Sequence, residues 1–266
     1  MDNHMLDGFI NETKTDEPVY FSKVRLADKK IEIETRNKKV LAFCKEYLDK
    51  YDCPDFVVRA TNEEIESNYK ANHPDYQQLL DESIEATVDY TIAETNVIYR
   101  KIAEAMLEYD TLLMHGAAIA VNKKCYVFTA PSGTGKTTHI NNWIKCIPGT
   151  IVVNGDKPLI NVHTKIVYGT PWCGKERKNT NTSATLAGII ILERGVTNSL
   201  KPISFSDMIP TLLQQVYISK EKEKKIKTYK LLSLLESIPC YKLKCNMDVE
   251  SARIAYDGIK ENERKK

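Results

Sequence analysis

The first hundred residues alternate between a strand period and a helix period. The runs VYFSKVRL and KKIEIET predict strands, because β-favouring residues alternate with polar ones. The stretch NKKVLAFCKEYLDKY instead predicts an amphipathic helix, because its apolar residues fall on one stripe. These residues are Val40, Leu41, Cys44, Tyr47 and Leu48.

Further signals continue this α+β pattern. The run DFVVRAT predicts another strand, and Thr61 with Glu64 predicts a capping box at the start of the helix that follows. A helical period then extends from Tyr76 to Tyr109. Residues 1–108 are therefore predicted to be an N-terminal α+β region that packs on the core or recognises a substrate.

The chain changes character after residue 108. Short β-rich runs follow one another between Gly, Asn, Asp and Lys turns: TLLMHGAAIAV, KCYVFTA, GTIVVNG, PLINV, KIVYG and AGIIILERG. Apart from one helix, the segments between these runs are too short for crossover helices. This favours a mixed sheet over a regular doubly wound one.

Residues 109–204 are predicted to be the core of an α/β domain, and residues 205–266 a mainly helical part of the same domain. Within that part, CYKLKC predicts a strand and DVESARIAYDGIK a final helix. The lysine-rich run SKEKEKKIKTYK predicts a solvent-exposed helix face. The alternative is a binding patch for an acidic partner.

Composition and charge set limits on partners and compartment. The net charge of +2 gives no overall attraction to nucleic acid or membrane, and no apolar run is long enough for a membrane span. The acidic first residues, MDNHMLDGF, do not resemble a signal peptide. Seven cysteines without CxxC spacing indicate reduced thiols, so a cytoplasmic protein without a zinc site is expected.

The most specific chemical signal is a glycine loop between a strand and a helix. YVFTA predicts the strand, PSGTG the loop, and KTTHINNWIKCI the helix, which is the context of a phosphate-binding loop. Ala130 stands where the usual pattern has its first glycine. A methyl group fits there if the backbone stays extended. The predicted nucleotide-binding residues are Ser132, Gly133, Thr134, Gly135, Lys136, Thr137 and Thr138.

The loop's chemistry follows from its backbone. Gly133 and Gly135 can adopt conformations that turn successive N–H groups around an anion, and the helix N-terminus adds further donors. Lys136 is expected to reach the β- and γ-phosphates. The Thr137 hydroxyl is expected to ligate Mg²⁺, with Mn²⁺ as a substitute.

Residues around the loop narrow the chemistry, although each has a structural alternative. His115 is a site residue or a buried core histidine. Asp156, which follows an apolar strand, is a metal-holding carboxylate or part of an Asn-Gly-Asp turn. Glu193 and Arg194 end a very apolar strand as site residues or as a structural ion pair. The base-reading Asn-Lys-x-Asp motif of GTPases is missing.

In order and spacing, HGAAIAV, YVFTAPSGTGKTTH, VVNGDKPLI and ILERG resemble the catalytic domain shared by HPr serine kinase/phosphorylases and phosphoenolpyruvate carboxykinases. GTGKTT is similar to the carboxykinase loop, and LERG to the Glu-x-Arg-Gly signature of HPr kinases. The likeness covers residues 112–196. It implies a curved mixed sheet of the phosphate-loop class, with His115 and Asp156 near the metal and the reacting phosphate.

One departure from these families affects the catalytic base. Where both have Asp-Asp, this chain has Gly155-Asp156, so the carboxylate assigned to acid/base work is missing. Asp156, His115 and Glu193 remain as candidate bases. An aspartate restored at position 155 is then expected to raise the rate of transfer.

The leading hypothesis is an ATP-dependent kinase that phosphorylates a hydroxyl on a protein, peptide or small molecule. A nucleotide-binding regulatory module with little turnover, and a phosphatase or phosphorylase running the transfer backwards, are the alternatives. The acceptor side is predicted to lie in GTPWCGKERKN, with Trp172 as an apolar wall and Lys175, Arg177 and Lys178 as partners of phosphate, unless that segment is simply an exposed basic loop. HPr kinases assemble into rings, so the resemblance leaves open whether this chain forms a homo-oligomer.

Overall fold

The computed structural model describes residues 11–12, 19–72, 91–174 and 176–265. The chain divides into two compact units, residues 1–105 and residues 106–266. No helix among the described residues is long and apolar enough to cross a membrane.

The first unit contains a four-stranded sheet in the order β1-β2-β3-β4. Its strands are β1 (Asn11–Glu12), β2 (Tyr20–Leu26), β3 (Lys29–Thr35) and β4 (Phe56–Arg59). β1, β2 and β3 pair antiparallel, whereas β4 is parallel to β3. The strands predicted from alternation are confirmed here, because their buried positions fall on every second residue of β2 and β3.

The described part of this unit contains the helices α1 (Lys38–Phe43), α2 (Asn62–Asn72) and α3 (Thr91–Met106). The prediction of one long helix through Tyr51 is wrong, since α1 ends at Phe43 and only a 3-10 turn follows. Leu48 is extended and bridges to Val24, so pairing with β2 ends the helical period.

The predicted capping box at α2 is confirmed. The Thr61 amide donates to the Glu64 carboxylate at 2.8 Å, and the Glu64 amide donates to the Thr61 hydroxyl at 3.3 Å. The part of the predicted helix that falls on residues 76–90 lies outside the described residues.

The second unit is built on a nine-stranded sheet. Its strands are β5 (Thr111–Leu113), β6 (Ala117–Val121), β7 (Lys124–Thr129), β8 (Ile151–Asn154), β9 (Leu159–Asn161), β10 (Ile166–Tyr168), β11 (Ser183–Arg194), β12 (Ser199–Ile203) and β13 (Cys240–Cys245). The main path is β5-β9-β10-β11-β7-β6-β8, and β13 pairs with β11 and β12.

The predicted mixed sheet is confirmed. β11 is parallel to β7 and β13 but antiparallel to β10, and β6 is antiparallel to both β7 and β8. β12 was not predicted from the sequence, because Ser199–Ile203 contains a proline and has no fully buried position. Such a segment is tolerated as an edge strand, and β12 pairs only with β13.

Four helices complete this unit: α4 (Lys136–Cys146), α5 (Phe205–Gln215), α6 (Lys222–Ser233) and α7 (Glu250–Arg264). α4 and α7 bury apolar side chains with β6 and β7 in one cluster that includes Trp143, Phe128 and Ile259. α5 and α6 contribute to a second cluster through residues such as Leu212 and Leu231. The two clusters fix β7 and α4, and hence the loop between them.

Candidate functional site

Several chain segments converge on one edge of the second sheet. β7 and β11 are parallel and pair up to Thr129 and Ile191, so both end at this edge, and the parallel strand β13 ends there too. β6 begins and β8 ends at the same edge, because both are aligned through Ala118 and Asn154. We call it the site edge. Loops at the carboxyl ends of neighbouring strands commonly form binding sites.

The glycine loop, residues 130–135, connects β7 to α4 at the site edge. Gly133 and Gly135 have φ angles of +78° and +119°, a region that favours glycine. A Cβ at either position would meet no atom within 4 Å, so backbone conformation and not space requires glycine here. Ala130 is fully buried in the cluster beneath the loop and lies outside the positive-φ region, which explains how alanine fits.

Lys136, the first residue of α4, lies under the loop with only 9% of its surface exposed. Its ammonium group donates to the carbonyl oxygens of Ala130 at 2.7 Å and Pro131 at 3.4 Å. Among the described residues no carboxylate forms an ion pair with it. Burial lowers the pKa of Lys136, while nearby Asp156 opposes this shift. A largely buried cation with neutral partners favours an anion in the adjoining space.

Arg194 at the end of β11 holds the glycine loop from the other side. Its guanidinium donates to the Gly133 carbonyl at 2.6 Å and to the Thr134 carbonyl at 3.5 Å. Thr134 also closes a turn, because its hydroxyl donates to the Pro131 carbonyl at 2.9 Å. With their carbonyls bound in this way, the loop residues are held in one conformation.

Asp156 lies at the site edge because Asn154 forms a turn at the end of β8. The buried Asn154 side chain accepts from the Asp156 amide at 2.8 Å and from the Lys157 amide at 2.7 Å. One Asp156 oxygen lies 3.1 Å from His115 Nε2, and the other accepts from Lys157 Nζ at 2.5 Å. The Asn-Gly-Asp segment is thus both a turn and the support of a carboxylate.

The environment of Asp156 keeps it ionised. Burial opposes ionisation, but the hydrogen bond with His115 and the charge of Lys157 outweigh it and lower the pKa of the carboxyl to about 2. His115 is itself fixed by its backbone, because its amide donates to the Gln215 carbonyl at 2.7 Å and its carbonyl accepts from Thr129 at 3.0 Å. The pair is therefore held by three different segments.

A cleft of about 420 Å³ opens beside these groups. It brings together the predicted residues His115, Ser132, Gly133, Gly135, Lys136, Thr137 and Asp156. Its remaining lining residues are Ile140, Gly155, Cys173, Gly174, Glu176 and Lys178. We call it the Asp156 cleft. It offers amides, an ammonium group, a hydroxyl and a carboxylate to one ligand, which suits a polyanion accompanied by a cation.

The segment that follows β10 covers the position next to Asp156. A Cβ on Gly155 would lie 3.0 Å from the Lys178 carbonyl oxygen and 3.1 Å from that of Cys173, both closer than ordinary contacts. The carbonyl groups of Cys173 and Lys178 therefore crowd the position that a side chain at residue 155 would take. An aspartate there does not fit without moving this segment.

A second cleft, of about 480 Å³, lies on the other side of the glycine loop. It shares Gly133 and Gly135 with the Asp156 cleft and is otherwise lined by Thr134, Thr138, His139, Leu192, Arg194, Gly195, Cys245, Asn246 and Met247. We call it the Met247 cleft. Burial lowers the pKa of His139 to about 3, so this imidazole is neutral at ordinary pH.

The other predicted site residues are placed differently. Glu193 forms an ion pair with Lys242 at 2.9 Å and lines neither cleft. Trp172 is only 7% exposed and is packed in the interior, so it forms no open wall for an acceptor. Arg177 is exposed, with a φ of +49°, and lines neither cleft. Lys175 lies outside the described residues.

Sequence reasoning missed several lining residues. Cys173 and Glu176 lie within the predicted acceptor segment, but their residue types gave no chemical signal. His139 and Trp143 are one helical turn apart, and the Trp143 indole donates to His139 Nε2 at 2.8 Å. Their i, i+4 spacing on an amphipathic helix could have identified this pair.

Comparisons with known proteins add no relative to this picture. No protein-family model matches the chain, and no curated protein matches it.

Proposed function

We propose that residues 106–266 bind a nucleoside triphosphate and transfer its γ-phosphate to a hydroxyl acceptor. The observation that carries this proposal is the Asp156 cleft, where Lys136, Thr137, Asp156 and His115 face one space beside the glycine loop. The support comes from this chain's own residues. We also propose that residues 130–137 form a phosphate-binding loop, as the resemblance to HPr kinases and phosphoenolpyruvate carboxykinases implies.

The loop and the start of α4 supply the phosphate contacts. No side chain caps α4 at Gly135, so its first-turn amides are not taken by a capping group. Such amides, with the helix dipole, bind phosphate oxygens. Lys136 adds one positive charge beside the phosphate oxygens, and its present carbonyl partners are weaker acceptors than a phosphate.

The donor set fits a magnesium ion carried by the triphosphate. Mg²⁺ commonly takes one or two protein oxygens and completes its shell with phosphate and water. The Thr137 hydroxyl and the ionised Asp156 carboxylate would be those oxygens, since a carboxylate keeps free lone pairs beside its bonds to His115 and Lys157. Bound there, the ion would neutralise charge on the phosphate oxygens. Mn²⁺ has similar ligand preferences.

Among the three candidate bases, His115 is the one best suited to take up the proton of the acceptor hydroxyl. Asp156 holds its proton too weakly, with a pKa of about 2. Glu193 lies outside the cleft. His115 Nε2 lies 3.1 Å from the Asp156 carboxylate, which favours a hydrogen on Nε2 and leaves Nδ1 as the nitrogen that takes up the acceptor proton.

We propose that the transfer takes place in one step. The acceptor oxygen forms a bond to the γ-phosphorus, and the bond to the bridging oxygen breaks, with its electron pair leaving on the nucleoside diphosphate. The acceptor proton passes to His115. Because such transition states are loose, positioning and charge neutralisation contribute more than the base.

A nucleotide-binding module with little turnover is the second candidate. The observation that favours it is Gly155, because a Cβ there would lie 3.0 Å from the Lys178 carbonyl oxygen and 3.1 Å from that of Cys173. A carboxylate at this position, as in the families that the chain resembles, would require these carbonyl groups to shift by a few tenths of an ångström.

Transfer of labelled phosphate separates the two functions. Purified protein is incubated with γ-labelled ATP or GTP, Mg²⁺, and serine-bearing peptides or small hydroxyl compounds. We expect labelled acceptor with wild type and with Lys145→Ala, an exposed lysine on the same helix, and none with Lys136→Ala. Tight nucleotide binding without labelled acceptor would identify the binding module, whereas no nucleotide binding would overturn both.

A further inference from the structure

The glycine loop separates two clefts of different chemistry. The Asp156 cleft contains the lysine, hydroxyl and carboxylate that suit terminal phosphates. The Met247 cleft contains no carboxylate and no lysine among its described lining residues, and Leu192, Cys245 and Met247 give it apolar surface. A triphosphate with its γ end near Lys136 and Asp156 leaves the loop at its α-phosphate end. Gly133 and Gly135, which line both clefts, provide the passage between them.

We propose that the Met247 cleft is the nucleoside subsite, where the base and ribose of the triphosphate bind. This inference rests on the proposed function, because it assumes that the phosphates occupy the loop. The cleft volume of about 480 Å³ lies within the usual range of small-ligand sites.

Exposed apolar side chains at the mouth of the cleft support a flat apolar ligand. Met247 is 76% exposed, and Val196 in the adjoining turn is 92% exposed. Asn246 links the turn that contains Met247 to the turn that contains Val196. Its main-chain N–H donates to Asn198 Oδ1 at 2.9 Å, and its side-chain Nδ2 donates to the Val196 carbonyl at 3.4 Å. A methionine thioether makes favourable contacts with aromatic rings, so a nucleobase would cover surface that is otherwise left to water.

A buried donor in the cleft wall gives a second, independent argument. His139 is 3% exposed, and the Trp143 indole donates to its Nε2. A neutral imidazole that accepts at Nε2 carries its hydrogen on Nδ1. This Nδ1 is buried and has no hydrogen-bond partner among the described residues. Buried donors are rarely left unsatisfied, so a small movement of the cleft wall that brings this Nδ1 to a ribose or base acceptor would be favoured when the nucleotide binds.

Two native cysteines allow a direct test, since Cys173 lines the Asp156 cleft and Cys245 lines the Met247 cleft. Alkylation of each thiol is followed by peptide mass spectrometry, with the exposed Cys53 as the internal control. The probes are saturating Mg·ATP or Mg·GTP and, for comparison, tripolyphosphate with Mg²⁺. We expect the nucleotide to slow alkylation of both Cys173 and Cys245, and tripolyphosphate to slow that of Cys173 alone.

The outcomes separate the two proposals. Protection of Cys173 but not Cys245 by both nucleotides would overturn the nucleoside subsite and leave the phosphate site standing. Equal protection of Cys245 by tripolyphosphate would also overturn the subsite. Protection of neither thiol by any probe would contradict the proposed function itself.

A variant gives the same test without thiol chemistry. We expect Met247→Ala to weaken nucleotide binding about fivefold to tenfold, from the loss of a sulfur–aromatic contact, and to leave the dissociation constant of tripolyphosphate unchanged. The control is Ile226→Ala, an exposed apolar residue on α6. Unchanged nucleotide affinity in Met247→Ala, or equal weakening for both ligands, would overturn the subsite.

Discussion

His115 Nε2 lies 3.1 Å from Asp156 Oδ1, and this pair joins the segment before β6 to the turn after β8. Lys157 binds the other oxygen of the same carboxylate. The carboxylate is thus surrounded by donors on the protein side and faces the Asp156 cleft on the other. Its charge supports both the local structure and the proposed chemistry.

The stability contribution of Asp156 can be measured with Asp156→Asn in metal-free buffer. The folded-state pKa is lowered from 3.8 to about 2, so the stabilisation is fully present above pH 4 and is lost as the pH falls through 2. We expect the variant to lose about 2 kcal/mol in the free energy of unfolding at pH 7, and the difference from wild type to shrink towards zero near pH 2.

Urea unfolding followed by tryptophan fluorescence is a suitable measurement, because both tryptophans, Trp143 and Trp172, lie in the second unit. Asp257→Asn, at an exposed position on α7, is the control and should show no such difference. A difference for Asp156→Asn that stays constant from pH 7 to pH 2 would contradict the assigned environment.

A side chain at position 155 is expected to destabilise the protein and not to restore activity. Gly155→Ala and Gly155→Asp both place a Cβ against the carbonyl oxygens of Cys173 and Lys178, and we expect each to lose about 1–3 kcal/mol in unfolding free energy. Phosphate transfer is compared between these two variants, which differ only in the carboxylate. Wild-type stability together with faster transfer in Gly155→Asp would show that the carbonyl groups of Cys173 and Lys178 move aside without cost.

Arg194 is expected to act on nucleotide binding through the shape of the glycine loop. Arg194→Lys keeps the charge but loses the forked contact with the carbonyls of Gly133 and Thr134. We expect affinity for Mg·ATP to fall about fivefold to tenfold, consistent with the loss of one hydrogen bond, and amide hydrogen exchange in residues 132–135 to become faster. Arg253→Lys, at an exposed site on α7, is the matched change. Weaker binding with unchanged exchange would instead indicate a direct contact with phosphate.

His139 is expected to make the second unit sensitive to acid. Burial lowers its pKa from 6.5 to about 3, so the folded state stays neutral where the unfolded chain takes up a proton. Stability is therefore unaffected above pH 6.5 and falls as the pH decreases below that value, by about 2 kcal/mol at pH 5. His139→Gln should remove this slope, whereas His163→Gln, an exposed histidine, should keep it. Equal slopes in wild type and His139→Gln would contradict the buried, neutral imidazole.

The sequence predicted much of the second unit because its signals are local. The glycine loop, the helix that begins at Lys136, and the strand before Asp156 each follow from residues within a short window. The convergence of these segments depends on strand order, which no local pattern encodes. The register of β11 with both β7 and β13 brings Arg194 to the loop and Cys245 to the Met247 cleft.

Residue type alone could not decide the role of the other candidates. Glu193 and Asp156 each end an apolar strand, yet only Asp156 faces the cleft, because Glu193 pairs with Lys242 on the neighbouring strand. Trp172 looked suited to an acceptor wall but is packed inside. The crowding at position 155 comes from the carbonyl oxygens of Cys173 and Lys178, which are distant in sequence, so no local pattern could indicate it.

The most direct measurement is calorimetric titration of the protein with Mg·ATP and Mg·GTP. We expect one site for at least one of these nucleotides, unchanged affinity in Lys145→Ala, and affinity reduced by about tenfold or more in Lys136→Ala, because the ammonium group donates a charge-assisted bond to phosphate. Equal affinities in wild type and Lys136→Ala, or no binding of either nucleotide to wild type, would contradict a triphosphate site at this loop.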